Sequence, residues 1–130
     1  MKKILGIDYG RKKIGLSIGD DVARLAEPHS VVRVSSIEEA IWKVGKVVNV
    51  AKVETVVVGV SEGEMATESM KFGELLKHKL GIEVVFQDET LTTNEAQRLS
   101  IVAGKKRKKR KQMEDAYAAA LMLQSYLDEL

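Results

Sequence analysis

The order of elements in this chain predicts an α/β fold on a mixed five-stranded sheet. Three observations carry that expectation. Short strand-like runs joined by tight turns open the chain, two further apolar runs follow amphipathic stretches, and a long apolar segment closes it. A three-strand antiparallel meander followed by right-handed parallel crossovers places helices on both faces of the sheet. With 130 residues, the chain forms one domain, 1–130, that buries about two-thirds of its unfolded surface.

Lys3 to Ile7 is apolar and Gly10 ends it, while Ile14-Gly15-Leu16-Ser17-Ile18 alternates large and small, so two strands joined by a basic turn are expected. Arg24 to Val34 reads as a third strand, with Pro28 marking an irregular or edge position. Ser35 or Ser36 can cap a helix whose apolar residues Ile37, Ile41, Val44, Val48 and Ala51 fall at helical spacing. Thr55-Val56-Val57-Val58-Gly59-Val60 has the β-branched continuity of a strand buried on both faces. A loop at Ser61–Glu64 leads into a helix through Met65, Phe72, Leu75, Leu76 and Leu80, which Gly81 terminates. Ile82 to Phe86 is the fifth strand, and Thr92 with Glu95 forms a capping box for a helix reaching about Ala103. Met113 to Leu130 is a buried helix, apolar almost all round from Ala116 to Leu123, with Asp115 in its first turn.

Composition narrows the chemistry. The absence of cysteine excludes a disulfide framework and any thiolate zinc site, and two scattered histidines, His29 and His78, do not make a cluster. Any metal must be held by carboxylates. The N-terminal apolar stretch is too short for a signal-peptide core or a membrane span, so a cytoplasmic protein with no membrane partner is expected. Seven of the 21 basic residues stand in one block, Lys105-Lys106-Arg107-Lys108-Lys109-Arg110-Lys111; outside it acids outnumber bases by five. Concentrated positive charge on an otherwise acidic chain is the footprint of a polyanion contact, although a solvated charge run has the same composition.

Acids stand at the strand exits. Asp8 ends an apolar strand, where a carboxylate is costly unless a cation meets it, although it could also hydrogen-bond its own turn. Asp88 and Glu89 follow the fifth strand, and Asp115 precedes the buried part of the last helix, where it could serve only the helix dipole. In sheets of this topology the strand exits beside a change of chain direction form the binding crevice. Carboxylates converging there repel one another, and a divalent cation relieves the repulsion. Hard oxygen ligands favour Mg2+ or Mn2+, the ions of phosphoryl-transfer sites.

Gly6-Ile7-Asp8-Tyr9-Gly10 with Ile14-Gly15-Leu16-Ser17, Asp88-Glu89-Thr90-Leu91-Thr92-Thr93, and Asp115-Ala116-Tyr117-Ala118-Ala119-Ala120-Leu121-Met122-Leu123-Gln124 resemble, in order, the segments of the YqgF/RuvX family. The resemblance spans essentially the whole chain. It implies an RNase H-like domain and a nuclease that resolves Holliday junctions or matures the 5′ end of pre-16S ribosomal RNA. It also implies that Asp8, Glu89 and Asp115 hold two metals, Asp8 bridging them, with Asp88 as the competing assignment to Glu89. The chain departs from the family pattern at Thr90, where an arginine is usual, and at Gly59-Val60-Ser61-Glu62, which makes Glu62 a further candidate ligand. Arg11, Lys12, Lys13 and the Lys105–Lys111 block would hold the nucleic acid, an rRNA precursor or branched DNA, with the protein acting as a monomer or homodimer. The alternatives are a non-catalytic nucleic-acid-binding module and, from the Asp8-Tyr9-Gly10 turn alone, an actin-like ATPase, for whose second domain the chain has no room.

Overall fold

The first apolar run becomes the central strand. The computed structural model describes residues 1–89 and 107–130, the side chains of 107–110 excepted. In it β1 (Lys3–Asp8) pairs antiparallel with β2 (Lys13–Asp20) and parallel with β4 (Thr55–Val60). β3 (Glu27–Arg33) and β5 (Glu83–Asp88) are the edges, giving the order β3-β2-β1-β4-β5.

Alternation along β1 and β4 divides their side chains between two layers. Leu5, Ile7, Val56 and Val58 pack with Val44 and Val48 of α1 (Ile37–Ala51) and with Phe72 and Leu76 of α2 (Gly63–Leu80). Ile4 and Val57 face the other way, onto Met122, Leu123 and Leu127 of α3 (Arg107–Asp128). Ser36, and not Ser35, caps α1: its side chain accepts from the Glu39 amide at 3.1 Å, while Glu39 Oε1 accepts from the Ser35 amide at 2.7 Å. Gly81, at φ 62°, closes α2 by donating its N–H to Lys77 O, as its place after the last apolar residue predicts.

Two expectations change. The third strand starts at Glu27, not Arg24, because Asp20 Oδ1 accepts from the Val22 and Ala23 amides and turns the chain, leaving Arg24 left-handed at φ 56°. Pro28 does lie on an edge strand, beside a register shift at Leu16/Ser17. The last helix begins by Arg107 rather than Met113, so Arg107 to Lys111 are helical and Asp115 lies in the third turn, beyond the reach of a first-turn dipole interaction. Lysine and arginine are good helix formers, and their charge does not signal a loop. The helix expected from Thr92 to Ala103, together with Thr90, Lys105 and Lys106, lies outside the described residues.

Gly6, Gly15 and Ser17 form a patch of small residues on the α3 face of the sheet, which lets an alanine-rich stretch of helix lie almost on the backbone. A Cβ at Gly15 would collide with the main chain of Asp115 and Ala116, and one at Gly6 would meet the side chains of Ser17 and Leu123. Ser17, fully buried, donates its hydroxyl to Ala119 O at 2.9 Å and ties sheet to helix. The large-small alternation in β2 therefore marks both a strand and a helix-docking surface. No helix among the described residues is long and apolar enough to cross a membrane.

Candidate active site

Asp8 shares its side of the sheet with Ile4 and Gly6 and points towards α3 at the C-terminal end of β1. Opposite it on β2 stands Gly15, over which the Asp115 main chain passes. On the other side β4 offers Gly59, and a Cβ there would stand 2.5 Å from Glu89 Oε2 and 3.1 Å from Met122 Cγ. Two glycines thus leave bare backbone on either side of Asp8, one filled by the Asp115 segment and the other by the Glu89 side chain. Glu89 is held in register by its own N–H, which donates to Val60 O at 3.0 Å and extends the β4–β5 ladder.

The electrostatics show why three acids tolerate this proximity. Burial, then the charges of Glu89 and Asp115, push the Asp8 carboxyl up to about 8, and a hydrogen bond with Glu89 adds to the rise. Glu89 is raised as well, chiefly by burial, while its bond with Asp8 opposes the shift. One proton therefore resides on Asp8 and is donated to the Glu89 carboxylate. Asp115 Oδ2 is buried without a hydrogen bond and has the Lys13 ammonium 3.4 Å away. A proton and a lysine thus hold together a set of acids that a divalent cation could hold instead. Among the described residues no three acids are already closed around one point as a finished metal cage would be. The donor chemistry suits a hard cation: carboxylate oxygens, Asp115 Oδ2 among those lacking a hydrogen bond, with space kept open by Gly15 and Gly59.

The other candidates are distributed unevenly. Asp88 ends β5 on the opposite side from Glu89, where it lines a cavity of about 380 Å3 with Ser61, Glu62 and Phe86. Glu62, at the start of α2, belongs to that cavity and not to the Asp8 cluster. Arg11 is turned away to α2, its Nε donating to Glu68 Oε1 at 2.9 Å and its Nη2 to Oε2 at 2.5 Å. With Tyr9 stacked on Phe72 at 4.6 Å, this pair pins the turn that follows Asp8. Lys12 is exposed and Lys111 is exposed on α3. From the sequence, Gly59 is named without its role as clearance for Glu89, and Glu68 is not named. The first carries a signal, since a lone glycine in a β-branched run marks a close approach; the second carries none, lying 57 residues from its partner.

The architecture is that of the RNase H-like resolvases. Thermus thermophilus RuvC solved with a Holliday junction superposes with a TM-score of 0.66 at 16% identity, over 98% of this chain and 97% of the other. The fowlpox virus resolvase in complex with junction DNA gives 0.64 at 12% identity, over 98% and 97%.

The family model for RuvX, described as Holliday junction resolvase, matches residues 2–129, and the chain belongs to that family. Two curated relatives bear the name "Putative pre-16S rRNA nuclease". The Caldanaerobacter subterraneus protein is 40% identical over 133 residues, covering 97% of this chain and 96% of its own length. The protein from Lactococcus lactis subsp. lactis is 37% identical over 134 residues, covering 97% and 94%.

Proposed function

We propose that this protein is a metal-dependent endonuclease that hydrolyses phosphodiester bonds of structured nucleic acid, acting at the 5′ end of precursor 16S rRNA. The observation that carries this reading is the meeting of Asp8 and Glu89 over Gly59, with Asp115 beside them. The names of full-length relatives support the ribosomal RNA substrate, and the resolvase fold supports the reaction class. Among the candidate acids, Asp8, Glu89 and Asp115 would hold Mg2+ or Mn2+. Such ions activate a water and stabilise the leaving oxygen of an in-line displacement.

The chain's own residues have definable tasks. Asp8 must lose the proton it donates to Glu89, which frees oxygens of both carboxylates as ligands. Lys13 must move off Asp115, and its ammonium then stands where a phosphate can take it. The Tyr9–Phe72 stack and the Arg11–Glu68 pair hold the Asp8 turn while this happens. The test is incubation of wild type and Asp8→Asn with 5′-extended 16S precursor RNA and with a four-way DNA junction, in manganese. Cleavage of the RNA by wild type alone supports the reading. A fully active Asp8→Asn protein would sink it, and cleavage of the junction alone would move the substrate to branched DNA.

A further inference from the structure

Three cations from three elements surround one cleft beside the candidate active site. Lys13 of β2, Arg33 of β3 and Lys111 of α3, with Val31, Gln112 and Met113, line a cavity of about 570 Å3 with no acid among its described lining residues. That volume lies within the roughly 300–1,000 Å3 range of small-ligand sites. Lys13 and Arg33 are directly opposed in the β2–β3 register, a placement that destabilises a sheet when the charges are alike. Among the described residues no acid relieves it at Arg33. Neither Arg33 nor Lys111 forms an ion pair among the described residues, and the Lys43 ammonium is close by, donating to Arg33 O at 2.6 Å. Arg11, by contrast, spends its charge on Glu68.

The geometry points to this cleft as the subsite for the substrate's sugar-phosphate backbone next to the cleaved bond, with Arg33 as its anchor. The inference rests on the nuclease reading and adds the side from which the strand enters. Lys13 joins the two places, since it lines the cleft and lies 3.4 Å from Asp115 Oδ2. A guanidinium presents a planar fork of donors that matches a phosphate, which the flanking ammonium groups cannot do. Val31 and Met113 give the sugar an apolar wall. Contacts of this kind fix position and carry no base information, so binding here is independent of sequence.

The experiment is titration of a labelled oligonucleotide into the full chain in EDTA, read by fluorescence anisotropy over a range of salt concentrations. Inorganic phosphate serves as the competitor. Arg33→Gln should weaken binding several-fold and lower the log–log salt slope by about 0.7 on single strands or 0.9 on duplex. Arg33→Lys should keep the slope while losing affinity, because it retains the charge and not the fork. Lys77→Ala, which removes an exposed charge from α2 on the other face of the sheet, should leave both unchanged. Competition by phosphate at concentrations comparable with the oligonucleotide would make the cleft a free-anion site and overturn the backbone assignment. An Arg33→Gln protein with wild-type affinity and slope, or equal losses in Lys77→Ala, would overturn the subsite while leaving the nuclease reading in place. A wild type that binds no nucleic acid would overturn both.

Discussion

Asp8 on β1 and Glu89 beyond β5 share a proton across the intervening strand β4, over the bare backbone of Gly59. The arrangement has a consequence for stability. The folded Asp8 carboxyl titrates near 8 and the unfolded one near 3.8, so between those values the folded state binds more protons. Without metal, stability is greatest below about pH 4 as far as this group is concerned and falls as pH rises to about 8, by a few kcal/mol. Asp8→Asn should flatten that fall and raise the thermal midpoint in EDTA at pH 8 by several degrees. A thermal-unfolding series in EDTA checks this, and a variant that loses stability at pH 8 would oppose the repulsion described.

The two glycines flanking Asp8 should fail differently. Gly59→Ala sets a methyl against the end of the Glu89 side chain, which can swing aside, so the fold should survive with cleavage reduced at least about a hundredfold. Gly15→Ala meets the α3 main chain, which cannot give way locally, and should cost about 1–3 kcal/mol of stability. Urea denaturation beside a cleavage assay separates them. Equal destabilisation by both would mean that Gly59 serves packing and not Glu89.

Asp88 and Glu89 are neighbours in sequence and lie on opposite sides of the sheet. Glu89→Gln should abolish cleavage at constant fold, whereas Asp88→Asn should stay within about tenfold of wild type. The reverse order, in a single-turnover assay with manganese, would make Asp88 the ligand.

How much of this was legible in the sequence follows from what each feature depends on. The strand and helix order, and acids at the exits of β1 and β5, depend on local periodicity and are read directly. The alternation Ile14 to Ile18 is also visible, but its meaning depends on α3 lying about a hundred residues away, and the purpose of Gly59 depends on the Glu89 side chain beyond β5. The basic turn at Arg11-Lys12-Lys13 reads as one patch in the sequence. The structure divides it, sending Arg11 to Glu68 and Lys13 to Asp115, because neighbouring positions of a turn face different elements. Arg33 carried no signal at all, since its importance lies in facing Lys13 across the sheet.

The divided turn gives its own prediction. Because Arg11 already spends its charge on Glu68, Arg11→Ala should change the salt slope of nucleic-acid binding less than Lys13→Ala does. Anisotropy titrations of the two variants at several salt concentrations decide it. A larger change for Arg11→Ala would show that the pair opens to meet the substrate.

On the proposed reading a divalent cation replaces the proton and the lysine that hold the acids together. Calorimetric titration of Mn2+ into the protein at pH 7, repeated in buffers of different ionisation enthalpy, measures it most directly, because it counts protons released on binding. Wild type should bind with release of about one proton, the one shared by Asp8 and Glu89, and Asp8→Asn should bind weakly and release none. Equal manganese binding by the two proteins, or binding with no proton release, would contradict the account.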